Sequence, residues 1–467
     1  MDGQEVSGSS MEWAKNILAA EYSYEISIAN GPLVPEADLR SVSTALLSAL
    51  EIIWKNGDKR AVFIPTALDE YVWREDNTYE WYVMEELTIE DDYTTTYVLN
   101  MTSLTWLDES IHDKPVWWHY TVVVVPKQIQ VADSAMLLIV GWNNKASNNP
   151  ADVLSRSDTK RAIAYASHSG VTTVLNYCTP NQPIAFKNDP LIALYPNGRT
   201  EDGIIARTWH MFINNPTKPD VLLRLPMTKA AIRAMDTAED FLVGLGETKP
   251  VRWGCTGASK RGWTTWTAAA VDYERIIFAS PVWLDNLKLI PSAHHHYRSL
   301  GGWTFNYYDY YVEGFTLDMD RNPGYQMLAD IVDPYTYLER YSRSQTLLIQ
   351  HAGNDEFFLP SDTYFYWDEL FGEKYMRTYP NKGHGGVGWR ELEPPEIDNI
   401  VWQAIDGIFD EVLNPQVLKK SIGYEPWTWK LIEGDSWSAI EFYSNVKPTS
   451  VKAWGSISET SDRSVYN

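Results

Sequence analysis

The chain has 467 residues, 44% of them hydrophobic and 22% charged, a balance that supports a large folded core and excludes a mainly disordered polymer. A formal net charge of −23 opposes binding to nucleic acid or to an anionic membrane surface, since both carry the same sign. No run of about 18 apolar residues predicts a membrane span, and two cysteines, Cys178 and Cys255, are too few for a zinc site built on Cys clusters. The 21 Trp and 28 Tyr suit cores and ligand clefts alike and decide nothing alone. The first residues, MDGQEVSGSS, lack an apolar h-region, so either the chain is not exported or a signal peptide has already been removed.

In chain order, residues from about Glu12 to Lys59 read as mainly helical, with Leu46, Leu47, Leu50 and Ile53 at helical spacing. We divide the chain into this helical extension (1–65), a main α/β domain (66–413) with its insertion, and a small C-terminal β-module (414–467), expected either to end here or to be cut short by the chain end. Between Tyr79 and Val125, TTTYVLNMTSLTW and VWWHYTVVVV are rich in the residues that fit a pleated surface and predict an antiparallel β-section leading into the main fold. Asn100-Met101-Thr102 within it is a glycosylation sequon, a triplet that also arises by chance. Short apolar runs then alternate with helices: AMLLIVGW, a helix over about Ala151 to Ser169, VTTVLNY, a helix over Thr228 to Leu245, VRWGCTG, RIIFASPVW, SQTLLIQHAG and KYMRTYP. This is how a mostly parallel sheet covered on both faces reads. The aromatic stretch between about 287 and 340 interrupts the alternation and predicts a helical, aromatic lid inserted over the carboxyl ends of the strands. From about Glu425, WTWKLIEGDSWSAIEFYSNV and SVKAWGSI alternate like hairpin strands.

The chemistry concentrates at three loops. Gly257-Ala258-Ser259-Lys260-Arg261-Gly262 follows a predicted strand and opens an Ala-rich helix, which is the setting of a nucleophile elbow. It departs from G-x-S-x-G in that Arg261 holds the last small position and glycine comes one step later. Asn354-Asp355-Glu356 and Gly383-His384-Gly385 then follow strands in the order serine, acid, histidine. A serine hydroxyl needs a base, and the base needs a carboxylate to fix its tautomer, so Ser259, His384 and Asp355 form the expected triad. Asp285, after the preceding strand, is a rival acid; Glu356 is expected to point away. The oxyanion hole is expected to use the N–H of Lys260 and that of Trp142 or Asn143, after AMLLIVGW. Lys260 and Arg261 could bind an acidic substrate group or pair with structural carboxylates. His294-His295-His296 reads as lid surface rather than a metal site. No metal or cofactor is expected, and Cys178 and Cys255 are expected to remain unbridged because another strand separates theirs.

The stretches NMTSLTW with DKPVWWHY, PNQPIAF, RTEDGIIARTW, RLPMTKAAIRAMDT, GASKRGWTTWTAAAVD and GNDEFFLPSDTYFYWDEL resemble the PhoPQ-activated pathogenicity-related proteins, with which the autocrine proliferation repressors of social amoebae are grouped. The resemblance runs from about Leu68 to past Val446. It implies an α/β-hydrolase core, an extracytoplasmic location, a C-terminal β-module and a distant relation to prolyl-oligopeptidase-type peptidases. The family serine carries over to Ser259, its aspartate to Asp355 and its histidine to His384. Where the family often has glycines after AMLLIVGW, this chain has Trp142-Asn143-Asn144. The expected activity is a secreted serine hydrolase cleaving a peptide or small ester; the alternative is a secreted signalling protein on the same scaffold, with a cell-surface receptor as partner.

Overall fold

A computed structural model describes residues 65–341, 345–386, 394–413, 427–434, 438–444 and 447. The expected helices before residue 65 and the strand in SVKAWGSI lie outside them. The strands are β1 (Glu80–Val83), β2 (Ile89–Glu90), β3 (Thr94–Thr105), β4 (Val116–Pro126), β5 (Ser134–Ile139), β6 (Thr172–Asn176), β7 (Arg252–Ala258), β8 (Ile276–Val282), β9 (Thr346–Ala352) and β10 (Glu373–Tyr379). They form one 10-stranded sheet in the order β1-β3-β4-β6-β5-β7-β8-β9-β10, with β2 also on β3. From β6 through β10 every neighbouring pair is parallel. The Thr- and Val-rich β1–β4 section leads into the main fold by joining its sheet: β4 pairs antiparallel with β6, so the section forms one edge.

The central strands are buried on both faces, and their alternation divides the core. Ala135, Leu137 and Ile139 of β5 join one apolar cluster, while Met136 and Leu138 join the other. The first face is covered by the helices Arg224–Gly244 and Lys260–Val271, the second by Ser157–Ser169 and Pro394–Leu413. Phe409 of the last helix stacks on Phe278 of β8 at 5.3 Å between ring centres. Because apolar side chains point both ways, period-2 amphipathicity is absent and the strands read as continuous apolar runs.

Between β8 and β9 the chain makes short helices, including Leu289–Leu300, Tyr308–Val312 and Gly324–Val332. They pack on the helix Glu201–Asn214 through aromatic rings: Trp209 lies 5.2 Å from Tyr310 and 5.0 Å from Phe315. This helix was not anticipated by itself, although Ile205, Trp209 and Phe212 give it a buried stripe. The bidentate pair Arg340–Asp69, buried and at 2.8 and 2.9 Å, ties the end of the insertion to the helix Ala67–Trp73. The strands β11 (Trp427–Glu433) and β12 (Ser438–Ser444) pair antiparallel as a separate hairpin. The strand order, with the second long strand antiparallel and a helical insertion after β8, is the α/β-hydrolase fold expected from the sequence. Among the described residues, no helix is long and apolar enough to cross a membrane.

Candidate active site

Ser259 stands where β7 becomes the helix Lys260–Val271. Its φ of 58° and ψ of −124° lie in a region that a residue with a side chain rarely occupies. The turn is held by Ser259 N–H donating to Val282 O at 2.8 Å and by Trp263 N–H donating to Ser259 O at 3.0 Å. Gly262 is the small residue the turn needs: a Cβ there would lie 2.8 Å from Val282 O, where the helix crosses the end of β8. Beneath, the buried Arg224 guanidinium donates to Lys260 O at 2.7 Å and to Thr264 Oγ1 at 2.9 Å.

His384 and Asp355 come from the loops after β10 and β9, which are stitched together by Gly353 N–H to Tyr379 O and Asn354 N–H to Lys382 O, both 2.8 Å. His384 Nε2 lies 2.8 Å from Ser259 Oγ, and His384 Nδ1 lies 2.9 and 3.0 Å from the two Asp355 oxygens. Asp355 Oδ1 also accepts from the backbone N–H of Phe357 at 2.8 Å and of Phe358 at 2.9 Å. An aspartate so placed accepts the Nδ1 proton, which leaves Nε2 as the acceptor for the serine hydroxyl. The Phe357 ring lies 4.5 Å from the imidazole, and that of Phe358 5.6 Å. Glu356 does not point away: its Oε2 accepts from His384 N–H at 2.8 Å and fixes the histidine loop. A turn at Asp355 gives the neighbouring side chain this reach, which simple divergence of successive residues does not foresee.

The rival acid lies elsewhere. Asp285 is fully buried, accepts from Thr363 N–H at 2.9 Å, and lies 3.6 Å from His351 rather than against His384. Burial holds its carboxyl well above the usual range and pushes His351 down to about 3. Next to it, burial followed by the nearby Asp285 raises Asp362 to about 9. The three lid histidines diverge: His294 meets Asp320 at 2.6 Å, His295 meets Asp362 at 2.6 Å and His296 meets Thr304 at 2.8 Å. Among the described residues, no group of three His, Cys, Asp or Glu is arranged to hold a metal ion. Cys178 and Cys255 are buried free thiols, with β5 between their strands. Asn100 sits inside β3, paired on both sides and half-buried, rather than on the surface loop that a glycan acceptor usually occupies.

The other flank of Ser259 is formed by the loop after β5. The Trp142 side chain is anchored away in aromatic company, with Tyr120 at 6.0 Å, Tyr177 at 6.2 Å and the Arg156 guanidinium 4.9 Å over its ring. Its carbonyl accepts from Gln182 Nε2 at 2.9 Å, and the Asn143 carbonyl accepts from Asn148 Nδ2 at 2.5 Å. Gln182 Nε2 also donates to Glu201 Oε1 at 2.8 Å, and Glu201 N–H donates back to Gln182 Oε1 at 2.9 Å. Arg261 closes the network, donating to Glu201 Oε1 at 2.5 Å and to Thr179 O at 2.6 Å. A Cβ on Gly141 would lie 2.7 Å from the Arg261 guanidinium, so a side chain there would push the arginine from its present position. The two departures noted in the sequence, Arg261 in the elbow and a loop without further glycines, are therefore parts of one structure. Lys260 is likewise committed, with its Nζ 2.7 Å from Asp202. Of the two uses open to this basic pair, the structure has the carboxylate pairing.

A family model described as PhoPQ-activated pathogenicity-related protein matches residues 68–463. The chain is 33% identical over 410 residues to Autocrine proliferation repressor protein A of Dictyostelium discoideum, an alignment covering 86% of this chain and 76% of that protein. Among solved structures it is similar to acetyl xylan esterase 1 from Thermoanaerobacterium sp. JW/SL YS485, with a TM-score of 0.47 and 14% identity, over 74% of this chain and 94% of that one. It is also similar to the acetyl xylan esterase from Paenibacillus sp. R4, with a TM-score of 0.45 and 16% identity, over 74% of this chain and 99% of that one.

Proposed function

The chain belongs to the PhoPQ-activated pathogenicity-related protein family, and on that premise we propose that it is a secreted serine hydrolase acting through Ser259, His384 and Asp355. The observation that carries the reading is the continuous line of hydrogen bonds, 2.8 Å from serine to histidine and 2.9 Å from histidine to aspartate, on a strained strand-to-helix turn. In the reaction, Ser259 Oγ attacks an acyl carbon while its proton passes to His384 Nε2. Asp355 holds the imidazole in the required tautomer and stabilises the imidazolium. The leaving alcohol or amine takes that proton as the acyl-enzyme forms, and a water activated by the same histidine releases the acid. The oxyanion is met by the N–H of Lys260, at the first turn of a helix, and by an N–H from the Trp142–Asn143 loop that Gln182, Glu201 and Arg261 hold. Removing one such donor typically costs ~10²–10³ in kcat, which is the scale of work assigned to that network.

The name of the Dictyostelium relative favours a second reading, a secreted growth-restraining signal on a hydrolase scaffold that acts through a cell-surface receptor. It also supports secretion, since an autocrine factor acts from outside the cell. Turnover of a panel of esters and peptidyl amides by the full chain and by Ser259→Ala separates the readings. The hydrolase reading expects turnover that vanishes in the variant. A folded native chain that cleaves nothing, with growth restraint intact in Ser259→Ala, would favour the signal.

A further inference from the structure

Beside Ser259 lies a cavity of about 40 Å³ whose walls come from both parts of the fold. Lys260 opens the helix after Ser259, Phe357 and Phe358 belong to the loop that carries Asp355, and Tyr310 and Phe315 belong to the insertion. Phe357 and Phe358 are also the rings that pack on His384, so the cavity shares a wall with the imidazole. Its charged lining residues neutralise each other: Lys260 Nζ is 2.7 Å from Asp202, Tyr310 OH donates to the same carboxylate at 3.0 Å, and the two charged side chains are 13% and 19% exposed. Asn306, also in the wall, gives its amide to Glu356 O and receives the Thr304 hydroxyl. What remains facing the cavity is dominated by aromatic rings.

We propose that this cavity is the acyl pocket of the site, and that the substrate class is an ester of a short, uncharged carboxylic acid with two to four carbons. The inference rests on the hydrolase reading above and narrows it. A water-sized group needs about 10–15 Å³ of such space, so the pocket holds about three of them. With the carbonyl carbon at Ser259 Oγ, that is the methyl of an acetyl group up to the three-carbon tail of a butyryl group. A charged acid would compete with an ion pair that is already satisfied. A peptide would bring into the pocket the preceding amide, carried on the α-carbon next to its acyl carbon, and an unmatched buried amide is costly. The step balances as a simple transfer: the Ser259 Oγ–acyl bond forms, the acyl–alkoxy bond breaks, the alcohol leaves with the serine's proton by way of His384, and water then releases the acid.

The test is hydrolysis of p-nitrophenyl acetate, propionate, butyrate and octanoate and of peptidyl p-nitroanilides by the full chain, with Ser259→Ala as control and fluorophosphonate labelling run in parallel. The expected kcat/KM for the short esters exceeds that for octanoate by about 10²-fold, a discrimination that one or a few methylenes can supply, and the anilides are not cleaved. Leu289→Ala, which removes a lining side chain, is expected to move the optimum to longer chains; Ala293→Val, which fills space, is expected to suppress butyrate before acetate. Thermal denaturation of both variants establishes that each is folded. A labelled Ser259 with octanoate or peptide preferred, or with chain-length preference unmoved in both folded variants, would overturn the pocket assignment and leave the hydrolase reading standing. An unlabelled serine without any turnover would remove both.

Discussion

On one side of Ser259, two short loops bring His384 and Asp355 into line, and each contributing residue sits directly after its own strand. On the other side, the loop after β5 is held by Gln182, Glu201 and Arg261, from three separate segments, one of which is the helix that follows Ser259. The first flank is built by strand order alone. The second depends on a partly buried ion pair between residues 60 apart in the chain. A short, local arrangement tolerates change around it, whereas a network with a charge at its centre fails when one member is removed.

The largest expected effect breaks the first flank. Asp355→Asn is expected to lower kcat by about 10⁴ through loss of the required imidazole tautomer, whereas Asp285→Asn changes kcat less than about threefold, because Asp285 faces His351 and not His384. Steady-state kinetics on a short ester read both; the reverse ranking would make Asp285 the acid. Next, Arg261→Ala is expected to lower kcat by about 10²–10³ with KM little changed, the signature of a lost transition-state donor. It also leaves Glu201 without its cation, at a cost of up to about 3 kcal/mol in chemical denaturation. The pair of substitutions Arg261→Met and Glu201→Gln should recover much of that stability without recovering kcat. If kcat returned with stability, Arg261 would be a structural residue only.

The smallest effect sharpens the contrast through pH. Burial raises Asp362 from 3.8 to about 9, Asp406 from 3.8 to about 7 and Asp333 from 3.8 to about 6. Above about pH 4 the folded chain therefore holds more protons at these three carboxylates than the unfolded one does, up to about pH 9 at Asp362. The stability these groups contribute is complete below their unfolded values and is lost as pH rises through about 6, 7 and 9. Between pH 7 and pH 9 the native chain should lose more melting temperature than Asp362→Asn does. The same pH dependence in both would contradict the assignment.

The same contrast marks what the sequence discloses. Parallel strands buried on both faces announce themselves as apolar runs, so β5 to β10 and the order Ser259, Asp355, His384 were legible, and so was the insertion after β8. The antiparallel edge was legible as strands but not as part of the same sheet, because pairing of β4 with β6 is a contact across 50 residues that no local pattern encodes. Arg261 read as an irregularity, since its partner Glu201 lies 60 residues away on a helix the periodicity left unremarked. Glu356 was misread for the opposite reason: it is next to Asp355, and its direction depends on a turn rather than on alternation. The expected helical extension before residue 65 lies outside the described residues.

The central claim is that Ser259 is an activated nucleophile. Fluorophosphonate labelling of the full chain, with the modified peptide located by mass spectrometry, tests it most directly. The account predicts one adduct per chain on the peptide containing Ser259, absent from Ser259→Ala and strongly reduced in Asp355→Asn. A folded native chain that takes no label, or an adduct on a different serine, would contradict it.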